Sequence, residues 1–193
     1  YYWCYECLEY CMSELSVGAL SGLAANSYVI DVASGSQLTQ PGMVLQVVST
    51  AKTDTFSTTS TSFTPVTGLT ATITPSSASN KILIIVEMSF GQSSTTAFRQ
   101  MRITGGNSGD YIGDASGSRT RSAFGTRGLH DVASQEQVTL SYLDSPSTTS
   151  SVTYGIDVLT STGTLYLNRT SEDTDSATFS RTASSITVME IAG

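Results

Sequence analysis

Few residues in this chain are equipped for acid–base or nucleophilic chemistry. The 193 residues include a single histidine, His130, followed by Asp131. A hydrolase of the Ser-His-Asp kind would have to use it, because that chemistry needs a nucleophile, a base and a group that orients the base. No G-x-S-x-G elbow occurs, and Gly117-Ser118-Arg119 lacks the second glycine. His130 therefore reads as a loop histidine beside an aspartate, turned to water, and no catalytic residue is assigned. Glu172, Asp173 and Asp175 would suit a glycosidase only if two carboxyls faced each other across a sugar. Three acids in one Ser/Thr-rich stretch read instead as a solvated turn, without the spacing of a calcium loop. Cys4, Cys7 and Cys11 follow C-x-x-C-x-x-x-C, but a closed zinc or iron–sulfur site needs a fourth ligand and His130 is remote. Neither a metal nor another cofactor is assigned.

Arginine supplies the one charge pattern with content. Five of the nine basic residues, Arg99, Arg102, Arg119, Arg121 and Arg127, fall in one stretch. Asp110 and Asp114 lie shortly before Arg119 and Arg121, which on a strand would share a face. A planar guanidinium holds a carboxylate at two points, so the simpler reading is ion pairing between strands or subunits. The sharper reading makes Arg99, Arg102, Arg119, Arg121, Asp110 and Asp114 a pocket for an acidic sugar or phosphate. Asn168-Arg169-Thr170 matches the N-glycosylation pattern, which would be idle if the protein were made in a bacterial cytoplasm.

The elements that must position these residues are strands. Nearly a third of the chain is Ser or Thr, and charged residues make up only 13%, against roughly 25% in an average domain. Thr is β-branched and suits a pleated face that is wet on one side. A net charge of −7 argues against sequence-independent nucleic-acid binding, which needs a dense basic surface. No run of 18 apolar residues predicts a membrane span, and the N-terminus lacks the basic and apolar regions of a secretory signal.

Residues 1–20 form an N-terminal leader or anchor, residues 21–42 a stalk with one strand at Tyr28 to Val32, and residues 43–193 the head domain. In the leader, Cys4, Leu8, Cys11 and Leu15 trace a helical stripe; alternatively the native chain starts at Met12 and residues 1–11 are foreign to it. In the head, strands are expected at Met43 to Ser49, Thr53 to Ser57, Ser62 to Thr67, Leu69 to Ile73, Lys81 to Phe90 and Ala97 to Thr104. Further strands are expected at Arg119 to Phe124, Glu136 to Leu143, Ser151 to Leu159, Thr164 to Asn168, Ala177 to Arg181 and Ile186 to Ile191. The Ser/Thr stretch between Thr53 and Thr67 should be a hairpin or an edge. Five consecutive apolar residues from Ile82 to Val86 imply a strand covered on both faces, with a neighbouring subunit or the N-terminal segment as the second cover. The spacing predicts an all-β, jelly-roll-like antiparallel β-sandwich with a short N-terminal segment.

The segments SGLAANSYVIDVASGSQLTQPGMVLQVV and KTDTFSTTSTSFTPVTGLTATITPSSASNKILI, with the later GDASGSRTR, YLDSPSTTSSVTYGIDV and SITVMEIA, carry a further signal. Together they resemble the C-terminal head module of tail-fibre and other virion structural proteins of tailed bacteriophages, of marine or cyanobacterial type. The resemblance covers roughly Ser13 to Gly193 and contains no catalytic motif. It implies a non-enzymatic virion surface protein, made in the bacterial cytoplasm and assembled as a homotrimer with other virion proteins. Attachment to the host cell, through a surface glycan, is the implied purpose. Capsid decoration and a non-catalytic carbohydrate-binding module stay open beside it.

Overall fold

The structure, a computed structural model, describes residues 40–193. The expected segment at 1–20, most of the expected stalk at 21–42 and its strand Tyr28 to Val32 lie outside the described residues. In chain order the strands are β1 (Val44–Lys52), β2 (Phe56–Thr58), β3 (Thr64–Ile73), β4 (Lys81–Gln92) and β5 (Phe98–Thr104). They continue with β6 (Phe124–Arg127), β7 (Glu136–Asp144), β8 (Val152–Thr160), β9 (Leu165–Leu167) and β10 (Ser184–Ile191). All their pairings are antiparallel, and they form a six-stranded sheet and a four-stranded sheet. The result is an all-β, jelly-roll-like sandwich, in which neighbours in a sheet are mostly distant in sequence.

The larger sheet is built on β4. On one flank, β7 pairs with it from Ile82 to Phe90; on the other, β10 pairs with Lys81 to Glu87 and β9 with Phe90 to Gln92. β1 then extends the sheet beyond β10, and β2 extends it beyond β9. The smaller sheet runs β3-β8-β5-β6. Strand side chains alternate between faces, so Ile82, Ile84, Val86, Met88 and Phe90 all point between the sheets and are fully buried. They meet Leu69, Ala71, Ile73, Met101, Ile103, Tyr154, Ile156 and Val158 from the smaller sheet in one apolar cluster. Each such Ile, Val or Leu stabilises the fold by about 1.5–3 kcal/mol on transfer from water.

The outer face of β4 differs along its length. Ser89 and Gly91 are buried at one end, where the backbone of Arg169 and Thr170 lies so close to Gly91 that a Cβ there would clash. Leu83 and Ile85 are only half-buried. The apolar run is therefore covered completely on its inner side and partly on its outer side by the described residues.

Several expected elements are rearranged. Of the hairpin or edge expected between Thr53 and Thr67, the edge is what forms: β2 pairs with β9 at the end of one sheet and β3 with β8 at the end of the other, so the two make no hairpin. The two strands expected at Ser62 to Thr67 and Leu69 to Ile73 are a single strand, irregular between Pro65 and Thr70, where Gly68 takes a φ of 80°. The strand expected at Arg119 to Phe124 begins only at Phe124, where Met101 faces it. Before that point, local bonds shape the chain into a loop: Arg119 Nη1 to Ser116 Oγ and Arg121 Nε to the Gly113 carbonyl. No strand forms at Ala177 to Arg181, where Phe179 N–H donates to Ser176 and the Ser176 and Thr178 hydroxyls bond each other. Hydroxyl side chains close to the backbone compete with ladder pairing in this way.

Asn168 joins the sheet elements at their crowded end. Its Nδ2 donates to the carbonyls of Lys52 (2.8 Å) and Asp54 (2.9 Å), and its Oδ1 accepts from Ser184 Oγ at 2.6 Å. The residue sits at φ 63°, a left-handed conformation that Asn tolerates better than most side chains. Asn168→Ala should therefore lower unfolding free energy by about 3 kcal/mol, through lost bonds, stranded buried carbonyls and backbone strain. Urea denaturation measures this, and a loss below about 0.5 kcal/mol would contradict the role assigned to the amide.

Candidate functional site

The arginines and acids singled out in the sequence are distributed by the fold over different surfaces. β5 alternates, so Arg99, Met101 and Ile103 point into the sandwich while Gln100 and Arg102 point out. Arg99 is completely buried, with its guanidinium 4.6 Å from the centre of the Phe90 ring. Its Nη2 donates to the Gly128 carbonyl at 2.7 Å and lies 3.7 Å from the Glu136 carboxylate. Burial pushes the Arg99 pKa down, opposed by the attraction of Glu136. Arg102 grips Asp157 across the β5–β8 ladder, with Nε at 3.1 Å and Nη2 at 2.8 Å, and lies over the Phe63 ring. This is an ion pair between strands.

Arg119 and Arg121 belong to the loop before β6 and are exposed, each holding the local bond already described. Asp114 is exposed in the same loop, and Asp110 closes a short 3₁₀ turn at Ser108–Asp110. Among the described residues no ion pair joins Arg119 or Arg121 to Asp114. The partner of Arg102, Asp157, lies far along the chain and was not marked by the sequence pattern. Its alternation within β8, opposite β5, is the signal that would have found it.

The other chemical candidates are held by local structure. His130 is exposed, and Asp131 spends its Oδ1 on the Ala133 N–H at 3.0 Å. Asp173 lies between Arg169 (3.0 Å) and Arg181 (2.6 Å), while Glu172 and Asp175 are exposed. A carboxylate flanked by two guanidiniums is already neutralised, which makes it a poor cation ligand. Among the described residues no group of three or more His, Cys, Asp or Glu is placed to hold a metal ion. The amide of Asn168 is buried and bonded, so its glycosylation pattern is closed to modification in the folded chain.

Two buried carboxylates organise polar networks that the sequence reading missed. Asp144, at the end of β7, accepts from Tyr154 Oη at 2.6 Å and from the Asn107 N–H at 3.2 Å to each oxygen. Gly106, at φ 51°, permits this approach, because a Cβ there would strike the carboxylate. Burial, together with the bond to Asp144, pushes the Tyr154 pKa far up, keeping the phenol protonated as a donor. Glu190 on β10 accepts from Gln46 Nε2, Ser76 N, Ser76 Oγ and Asn80 Nδ2 at 2.6–2.8 Å. Burial opposes its ionisation, but these donors outweigh that cost and hold its carboxyl below the usual range.

The arrangement is thus a jelly-roll-like sandwich whose buried charged and amide groups mainly tie strands and loops together. No family model matches the chain, and no curated protein does. Among solved structures, it is similar to a mutant VP2 protein of infectious bursal disease virus in T=1 particles, at 12% identity and a TM-score of 0.41. The alignment covers 85% of this chain and 44% of that one. The infectious bursal disease virus Gt strain aligns at 14% identity and a TM-score of 0.39, over 86% of this chain and 42% of that one. The chain spans less than half the length of these structures.

Glu190 yields a pH prediction with a defined sign. Its folded pKa is lowered, so its ionised form contributes stability above the ordinary carboxyl value of 4.5, and that contribution is lost as pH falls through the folded pKa. Glu190→Gln should destabilise the protein by about 1–3 kcal/mol at neutral pH, because a Gln amide N–H₂ faces donors. It should also flatten the fall in melting temperature on acidification. Thermal melts from neutral pH to below pH 4 compare the slopes; parallel curves for the two proteins would sink this account of Glu190.

Proposed function

We propose that this chain is a structural subunit of a tailed-phage virion, a fibre- or knob-type head that presents a surface and attaches to the host cell. The observation that carries this reading is how the sandwich spends its polar groups. Asp144, Asp157, Asn168 and Glu190 are all bound within the fold, so what the protein offers outward is hydroxyl-rich loops and sheet faces. The sequence resemblance to phage virion modules supports the same reading and adds a homotrimer.

Antibodies against the head domain, imaged on intact particles, test this directly. Label at fibre tips or tail ends is the expected result. Label over the head would move the protein to a capsid-decorating role, and unlabelled particles would end the virion reading. Sedimentation of the purified chain should give three times the chain mass or a whole multiple of that.

A second reading, carbohydrate binding, is favoured by one surface feature. Phe98 on the outer face of the smaller sheet is 48% exposed and lies 5.1 Å under the Arg127 guanidinium. Together with Gln100, Gly125 and Thr126 it lines a shallow depression of about 290 Å³. An aromatic face beside a guanidinium and an amide suits a sugar ring. Phe98→Ala should abolish any glycan binding seen on an array while leaving the melting temperature within about 2 °C, as expected of an exposed position.

A further inference from the structure

The outer face of the larger sheet carries an apolar row that crosses four strands in register. Val47 on β1 faces Met189 on β10, Met189 faces Leu83 on β4, and Leu83 faces Leu143 on β7. Val47 is 55% exposed, Leu143 is 45% exposed, and Leu83 and Met189 are half-buried. Ile85, also half-buried, lies two residues along β4 from Leu83, and Ile191 and the exposed Val44 flank the row on the other side. A continuous apolar patch on an otherwise polar surface marks a contact site.

The charges on this face say what covers it. The outward residues of β4 are, in order, Lys81, Leu83, Ile85 and Glu87. Both charged residues are exposed, and neither forms an ion pair among the described residues. Their register neighbours across the sheet are Ile191 beside Lys81, and Ser185 and Thr139 beside Glu87, so the sheet itself provides no opposite charge. The order cation, apolar, apolar, anion is its own complement when reversed. A two-fold axis lying between two such faces, perpendicular to β4 and level with Ile84, sets Lys81 of each copy over Glu87 of the other and Leu83 over Ile85; the two apolar rows then run side by side, each over the other copy's Ser49-Thr187-Ile85-Ser141 row. A self-complementary patch of this kind is what an isologous contact requires.

We infer that the outer face of the β7-β4-β10-β1 sheet binds the same face of a second copy of this chain, through the apolar row and two reciprocal Lys81–Glu87 pairs. The inference rests on the reading that copies of the chain assemble, and it names a surface for it. A two-fold contact joins chains in pairs, whereas a three-fold ring uses a different, head-to-tail surface. Where both form, this contact links one trimer to another.

The test is sedimentation of the full chain at micromolar concentration, with melting curves confirming that each variant folds. The wild type should show even multiples of the chain mass. Lys81→Glu and Glu87→Lys each place two pairs of like charges in the contact and should weaken pairing at least about tenfold. Mixing the two variants in equal amounts should restore it, because Glu at 81 then meets Lys at 87 and the native Lys81 meets the native Glu87. The exposed-site variant Leu143→Lys should abolish pairing by placing a charge in the apolar row. A wild type that forms trimers without further pairing overturns this contact and leaves the trimer standing, while a monomer overturns both. Cover of the face by the chain's own N-terminal residues would also give unpaired chains. Single reversals without effect, or a mixture that does not recover, overturn the charge-paired geometry.

Discussion

Everything in this sandwich hangs on the hydrogen-bonded flanks of β4. Its backbone is committed on both sides, to β7 along one edge and to β10 and β9 end to end along the other. That double commitment leaves its side chains only two directions, and one of them is the space between the sheets. Ile82, Ile84 and Val86 fill it without exposure, and the smaller sheet is held against them by the apolar area removed from water. Strands far apart in the chain become neighbours because β4 has room for them, which is why β2 lies beside β9 and not beside β3.

The polar groups follow from that packing. Closing two sheets over one core buries loop and strand ends, and their backbone groups need partners. Asn168 supplies them for the ends of β1 and the start of β2, Glu190 for the 76–80 loop, and Asp144 for the turn at Asn107. Each is a side chain placed where water no longer reaches, and each gains stability only because nearly every bond it can make is made. Arg99 differs, since its Nε and Nη1 have no hydrogen-bond partner among the described residues, as is also true of Gln92 Oε1 and Gln100 Oε1. Its stabilisation comes from Phe90, Gly128 and the more distant Glu136.

The same geometry divides the exterior into surfaces of different character. On the smaller sheet, Thr72 and Thr153 bond each other across β3 and β8 in full exposure, and Arg102 neutralises Asp157. The larger sheet turns outward an apolar row bounded by Lys81 and Glu87, which form no ion pair among the described residues.

Composition and alternation alone determined that the chain is all-β, and they placed β1, β4, β5, β7, β8, β9 and β10 close to their observed bounds. That much is local physics: β-branched and apolar residues at a period of two have one face to bury, whichever partner buries it. The run from Ile82 to Val86 also raised the expectation of a second cover, because five apolar residues in a row cannot all face one way; the described residues cover its outer side only in part. Tertiary structure alone decided which strands pair, and so separated Arg99 from Arg102 by one side of a sheet and left Arg119 and Arg121 in a loop. Proximity in sequence had grouped those arginines, but a strand sends successive side chains to opposite faces, and a loop rich in hydroxyls satisfies its own backbone first. Asp144, Asp157 and Glu190 gained their roles only on folding, since a carboxylate becomes a structural hub only when distant donors are brought to it and water is removed.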